Sequence, residues 1–415
     1  MFDRTQGFLA GMSIALSVQL SQPVAAALPV GKVVQTTQTN SSGAAAEALV
    51  EGTKLYQQGT AEALRSAIPK FEQALKLYRE AGDRSEEADT LTWLGGIYSE
   101  VGEKQKALEY FSQSLPLFRA IGDRSKEAIA LLSIGTVYSQ LGEKQKALEY
   151  FSQSLPLLRA TGDRREEAVA LTNIGSVYSE LGEKQKALEY FSQSLPLFRA
   201  IGDRHMEART FTNIGSVYSE LGEKQKALEY FSQSLPLLRA INARSEEAST
   251  CTWLGGTYAE LGEKQKAVEY YTESLLLFRR MGDRRGEAGT LTNIGSVYLE
   301  LGEKQKAIEY YRQSLPLLRA VGDRSEEATL LSNMAAVKRH QNNLTGALND
   351  IESSLKIIEN LRTKITNPEL RTSYLSRLQN YYKFYIDLLM QLHKTNPNSG
   401  YDIKASEASE RARTR

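Results

Sequence analysis

The sequence predicts an all-α protein, a solenoid of antiparallel helix hairpins finished by C-terminal capping helices, and three observations carry that reading. Tyr98, Tyr138, Tyr178, Tyr218, Tyr258 and Tyr298 recur at forty-residue intervals, each followed four residues on by Gly102, Gly142, Gly182, Gly222, Gly262 or Gly302. Between these marks apolar residues return at helical spacing, as expected of a helix with one buried stripe. A period of roughly twenty to fifty residues marks one supersecondary unit stacked many times, each copy burying its apolar face only against its neighbours.

Composition agrees and narrows the partners. The chain has 415 residues, 41% hydrophobic and 24% charged, with 51 basic and 50 acidic side chains. A solenoid grows with repeat number, so this length does not require several globular domains. The near-zero net charge argues against a nucleic-acid partner, because phosphate binding needs a surplus of Lys and Arg on one face. Basic residues are interleaved with acids, as in Arg164-Arg165-Glu166-Glu167, which reads as a solvated helix face. Cys251 is the only cysteine, which excludes an internal disulfide and a cysteine-based metal site. It stands where sister copies have Leu91 and Leu171, so a core role is expected.

Taken in order, residues 1–27 read as a signal peptide. Arg4 precedes the apolar run Phe8 to Val18, too short to span a bilayer, and Pro23-Val24-Ala25-Ala26-Ala27 supplies the small residues of a cleavage site. The expected destination is periplasmic or extracellular. Asp3 cancels Arg4, which leaves an uncleaved membrane anchor or a cytoplasmic protein as alternatives. Residues 28–43 are small and polar, a flexible linker.

Repeats follow over residues 44–362, and the copy from Asp163 to Gly202 shows how one works. Gly162 ends the preceding helix, where glycine most easily turns left-handed. Asp163 is the expected N-cap, with Glu166 three residues on completing an acidic capping box. Ala168, Leu171, Ile174, Gly175 and Tyr178 form the stripe of the first helix, and Gly182 closes it. Ala187, Tyr190, Phe191, Leu195 and Leu197 line the inner side of the second helix. Gly175, lacking a side chain, is expected to let that second helix approach closely.

Eight such units are counted. The first, Ala44 to Gly82, is divergent. Six regular copies begin at Asp83, Asp123, Asp163, Asp203, Ala243 and Asp283, and a decayed eighth begins at Asp323. Atypical ends suit a solenoid, whose outermost faces meet water. Asn242-Ala243 replaces Gly-Asp at one joint, which leaves that helix without an acidic cap and marks a weak point. Pro116, Pro156, Pro196, Pro236 and Pro316 fall inside second helices and should bend them, whereas Leu276 takes the equivalent place in a straighter one. The block Gly-Glu-Lys-Gln-Lys-Ala-Leu-Glu-Tyr-Phe-Ser-Gln-Ser-Leu-Pro-Leu stands unchanged from Gly102, Gly142, Gly182 and Gly222, so variation is concentrated in the first helices.

In these residues the chain resembles the tetratricopeptide repeat. Leu171, Ile174-Gly175, Tyr178, Ala187, Phe191 and Ser194 stand where that family places its packing residues, as do Leu91, Leu94-Gly95, Tyr98, Ala107, Phe111 and Ser114. The Gly-Asp-Arg joint, the Asn173-Ile174-Gly175 motif and the forty-residue length are similar to the longer variant of kinesin light chains and spindle-orientation adaptors. The resemblance implies a right-handed superhelix whose concave groove binds a protein or an extended peptide. Residues off the packing stripe of the first helices would line it: Thr172, Asn173 and Ser176, then Thr212, Asn213 and Ser216, then Asn293 and Asn333. Amides offer donor and acceptor together and suit a peptide backbone. Equally, the asparagines would bond across neighbouring repeats and stiffen the spiral. Trp93 and Trp253 replace Asn at this position, either as anchors for a partner or as packing beside Gly95-Gly96 and Gly255-Gly256. Arg209 is the one cation in this set, so the carboxylate clamp of chaperone-binding relatives is not reproduced.

Residues 363–415 leave the period. Asn367-Pro368 opens a helix whose apolar face runs through Tyr374, Leu375, Leu378, Tyr381, Tyr382, Tyr385, Leu388, Leu389 and Leu392, a cap or a partner-binding helix. Leu361-Arg362-Thr363-Lys364, Pro368-Glu369-Leu370-Arg371, Tyr385-Ile386-Asp387-Leu388-Leu389 and Glu410-Arg411-Ala412-Arg413 resemble the connector of cyanobacterial-type repeat proteins that end in a caspase-like CHAT domain. That resemblance implies a repeat half lacking its CHAT domain, with such a protease domain as a possible partner. His205, His340 and His393 are scattered through helical pattern, and no phosphate loop or metal-ligand cluster is found. The expectation is therefore a non-enzymatic scaffold with no cofactor, no metal and no small-molecule substrate.

Overall fold

The computed structural model describes residues 40–362 and 368–413, and every regular element among them is helical. They divide into two units, one through Leu237 and one from Leu238 onward. Residues 1–39, which hold the expected signal peptide and most of the expected linker, lie outside the described residues, as do Asn367 and the side chains of Tyr374 and Leu375.

The N-terminal unit is a succession of hairpins: α1 (Asn40–Tyr56) with α2 (Ala61–Ala81), α3 (Arg84–Glu100) with α4 (Lys104–Ile121), α5 (Arg124–Gln140) with α6 (Lys144–Thr161), α7 (Arg164–Glu180) with α8 (Lys184–Ile201), and α9 (Arg204–Glu220) leading into α10 (Lys224–Ala240). α1 starts at Asn40, just inside the stretch read as linker, where Asn and Ser favour helix starts. Second helices pack on the first helix of the next copy, and α3 touches α5, α5 touches α7 and α7 touches α9. Ala168, Leu171 and Ile174 are buried, as are Ala187, Phe191, Ser194 and Phe198 across from them.

Joints close by local chemistry. Gly162 adopts φ 76° and Asp163 N–H donates to the Leu158 carbonyl at 3.1 Å. Asp83, Asp123 and Asp203 each accept a hydrogen bond from the backbone N–H three residues on. Asp163 does not, and no capping box with Glu166 forms. Its Oδ2 is instead engaged by the hydroxyls of Thr161, at 2.6 Å, and Ser125, at 2.7 Å. A threonine two residues before the cap competes for the carboxylate, which the sister joints lack.

Tyr178 stacks on Tyr190 at 5.5 Å and 15°, with Lys186 Nζ 5.0 Å from the Tyr178 ring centroid and paired to Glu183. Tyr98, Tyr138 and Tyr218 repeat the arrangement with Tyr110, Tyr150 and Tyr230. Each repeat tyrosine thus covers the outer edge of its hairpin core.

The C-terminal unit continues the pattern with α11 (Arg244–Glu260) and α12 (Lys264–Met281), α13 (Arg284–Glu300) and α14 (Lys304–Val321), then α15 (Arg324–His340) and α16 (Leu344–Arg362). At its first joint Asn242 takes the left-handed turn at φ 56°, and Ala243 makes no side-chain cap. Asn342 replaces glycine in the same way in the decayed copy, at φ 59°. α17 (Pro368–Thr395), a short 3-10 turn (Pro397–Ser399) and α18 (Tyr401–Arg413) complete the unit. Leu378, Tyr382, Leu388, Leu389 and Leu392 of α17 bury against Ile351, Leu355 and Ile358 of α16, so α17 covers the apolar face left by the last hairpin.

Candidate functional site

The first helices hold the variable side chains, and the second helices fix their depth. A Cβ built on Gly175 would stand 2.8 Å from Phe191 Cε1 and 3.2 Å from the Ala187 carbonyl oxygen. The ring therefore lies directly on the backbone of α7, and side chains of α7 on this side are drawn into the seam of the hairpin.

Thr172 and Thr212 belong to that seam and do not form an open wall. Thr172 is 1% exposed, with its hydroxyl donating to the Ala168 carbonyl at 2.9 Å. Thr212 Oγ1 lies 2.8 Å from Ser234 Oγ of α10, and Thr252 with Ser274 and Thr292 with Ser314 repeat the pair. A residue off the Leu-Ile-Tyr stripe can still face its own partner helix, and a short hydroxyl side chain satisfies itself there against the carbonyl one turn back. Ser176 and Ser216 are also buried, and donate to the Thr172 and Asn213 carbonyls.

The asparagines separate. Asn173 is 1% exposed, and its Nδ2 donates to Thr136 Oγ1 of α5 at 3.2 Å, the bridge between neighbouring repeats considered above. Asn213 and Asn333 are only half-buried, and Asn293 is buried. Nδ2 of Asn213 and of Asn293 meets no protein acceptor. Trp93 is half-buried, stacked on Phe71 at 5.6 Å and edge-on to Tyr56 at 5.3 Å, so packing holds part of the indole. Trp253 is 6% exposed.

Charges on the first helices are set by burial. Lys126 Nζ reaches Asp89 on the preceding first helix at 2.7 Å, and burial still raises the Asp89 carboxyl above its ordinary range. Burial also raises Glu166, whose Oε2 has no partner and whose Oε1 lies 3.5 Å from Arg165. Sequence reasoning misses the Asp89–Lys126 pair. Its signal is a lone lysine in a column otherwise holding Glu86, Glu166, Met206, Glu246, Gly286 and Glu326. It also misses the ion pair that crosses each joint, Arg159 Nε to Glu167 Oε1 at 2.8 Å and its sisters such as Arg79–Glu87 and Arg279–Glu287. The mixed-charge run predicts a solvated face for Glu167, yet the turn at Gly162-Asp163 folds it back against Arg159.

No group of three His, Cys, Asp or Glu among the described residues is placed to hold a metal. Cys251 is fully buried in α11, and burial pushes its thiol up, away from nucleophilic use. His340 is held below its usual range by burial, and His393 Nδ1 lies 3.7 Å from Asp402.

The tetratricopeptide repeat family model matches residues 86–160, 126–200, 166–240 and 247–320, together more than half of the chain. No match is found among curated proteins. Among solved structures, a signal transduction ATPase with numerous domains from Pyrococcus horikoshii, which carries a tetratricopeptide repeat sensor, aligns with TM-score 0.66 and 15% identity. The alignment covers 91% of this chain and 54% of that one, so the chain spans about half of that protein. The apo form of RapI aligns with TM-score 0.55 and 18% identity, over 67% of this chain and 99% of RapI. A Rap protein complexed with the competence and sporulation factor aligns with TM-score 0.50 and 15% identity, over 83% and 99%. At these identities the likeness is one of fold.

Proposed function

Since the chain belongs to the tetratricopeptide repeat family, we propose that it is a non-enzymatic interaction scaffold that binds a protein or an extended peptide along its first helices. One observation carries the reading: four second helices begin with the same block, while the first helices place Trp93, Ser133, Asn173 and Asn213 at one repeated position. Uniform second helices hold the frame, so copy-to-copy differences on the first helices are what can distinguish a partner, and of these four Trp93 and Asn213 keep exposed surface. Among them Asn213 keeps exposed surface, and an amide side chain offers donor and acceptor together, suited to a peptide backbone whatever its side chains. The likeness to a Rap protein solved with its competence and sporulation factor supports a bound partner on such a helical array. Selection of a phage-displayed peptide library on the purified protein tests this. Enriched peptides should lose binding to Asn213→Ala and Asn333→Ala variants of unchanged circular dichroism. Equal binding to the variants, or no enrichment, would count against it.

A regulatory form of the same reading makes this chain the sensor half of a system with a caspase-like CHAT protease, supported by the connector-like sequence over residues 361–413. The repeats of the Pyrococcus ATPase are described as a sensor, which fits that use. Sequencing the DNA past Arg415 tests it, since a caspase-like frame is expected there. Export through residues 1–27 belongs to the proposal too, and N-terminal sequencing of secreted protein, expected to begin near Leu28, checks it.

A further inference from the structure

Tyr271 is completely buried on α12, and its hydroxyl meets no protein acceptor. Five sister copies place Phe71, Phe111, Phe151, Phe191 and Phe231 there, and one places Tyr311. Tyr311 Oη is answered: it lies 3.1 Å from Ser296 Oγ. In the copy that holds Tyr271, the residue in the place of Ser296 is Gly256. A second buried donor points to the same position. Asn293 is 6% exposed and its Nδ2 has no protein acceptor. Its counterpart Asn173 donates to Thr136, which holds in its own copy the place of Gly256.

Both donors therefore have, in sister copies, a hydroxyl partner at the one position where this copy has glycine. Asn213 is also unmet, but Ser176 opposite it has a hydroxyl, turned to the Thr172 carbonyl. Gly256 has none to turn. At the other glycine in this column, Gly96, the places of Tyr271 and Asn293 are taken by Phe111 and Ser133, and neither leaves an unmet buried donor among the described residues. Folded proteins satisfy buried hydroxyls and amides because burial removes their bonds to water. No cation beside the pair is called for by two neutral donors, so the fitting ligand is a neutral oxygen.

We propose that the inner side of α11 at Gly256 is a binding site for one neutral acceptor oxygen, held by Tyr271 Oη and Asn293 Nδ2 and supplied by a water molecule or by the carbonyl of a docked peptide. The carbonyl source rests on the scaffold reading and the water source does not. Thermal melts of the full chain decide, with Tyr271→Phe made alone and together with Gly256→Ser, which restores the hydroxyl of the sister copy. With water resident, Tyr271→Phe lowers the melting temperature by about 1–2 °C in both backgrounds, the loss expected for one satisfied hydrogen bond in a chain of this length. With a peptide carbonyl as the ligand, Tyr271→Phe raises the melting temperature of the free protein, and N-methylacetamide stabilises the parent chain relative to both Tyr271→Phe and Gly256→Ser. A rise with no N-methylacetamide effect overturns the site, as would a crystal structure with Tyr271 Oη bonded directly to the Asn293 amide. These melts need no partner, so their failure is distinct from failure of the peptide selection.

Discussion

Gly175 and the Phe191 ring touch so closely that a single Cβ on the glycine would stand 2.8 Å from the ring edge. Gly135 meets Phe151 and Gly215 meets Phe231 in the same way, so this contact sets the helix spacing copy after copy. Gly175→Val should destabilise the protein by about 1–3 kcal/mol through overpacking. Gly175→Ala should cost less, because the helix gains about 1 kcal/mol in propensity. The urea midpoint reads both, and an unchanged midpoint for the valine variant would mean the second helix moves away freely.

Ser234 joins its hairpin at two points, with Oγ 2.8 Å from the Ala208 carbonyl and 2.8 Å from Thr212 Oγ1. Ser234→Ala should cost about 1–2 kcal/mol, since it leaves buried polar groups short of a partner. In a double-mutant cycle with Thr212→Val the two losses should be less than additive. Strict additivity, measured by denaturant unfolding, would mean the hydroxyls do not interact.

How far the sequence reached is clearest at three places. Tyr178, Gly182 and the stripe Ala168, Leu171, Ile174 translated directly into helix, turn and core, because a regular period states both the element and the buried side. Thr172 and Thr212 did not. Periodicity fixes the angle of a side chain about its helix, but whether a partner helix or an open groove lies across from it depends on tertiary packing. Asp163 failed for a local reason, since Thr161 competes for its carboxylate and the acidic pattern alone does not show the competitor. Of the candidate binding residues, Trp93, Thr212, Asn213 and Asn333 retain exposed surface, while Thr172, Asn173, Ser176, Ser216, Trp253 and Asn293 are buried.

The joint at Asn242-Ala243 should be improvable. Asp83, Asp123, Asp203, Asp283 and Asp323 all cap the following helix with a side-chain oxygen, and Ala243 does not. Ala243→Asp should add about 1 kcal/mol to stability. Hydrogen exchange of the first turn of α11 should slow accordingly. Unchanged exchange would mean that this helix end is already held by packing.

Glu166 offers a test of charge against packing. It is 9% exposed, its Oε2 is unpartnered, and burial raises its carboxyl despite the opposing Arg165. A folded pKa above the unfolded one means that the fold favours the protonated acid. The penalty is therefore absent below the unfolded value of about 4.3 and complete once the pH exceeds the folded one, so stability from this residue falls as pH rises through that window. Met206 fills the equivalent place one copy on at 3% exposure, so an unbranched apolar chain fits there. Glu166→Met should raise stability by about 1 kcal/mol at pH 7, with the gain fading towards pH 4. Glu86, Asp89 and Asp350 are raised by burial as well, so the parent and the variant must be compared at each pH, where their difference isolates this one carboxyl. A gain equal at both pH values would assign the effect to packing. A loss at pH 7 would mean that the pairing with Arg165 outweighs the cost of burying the charge.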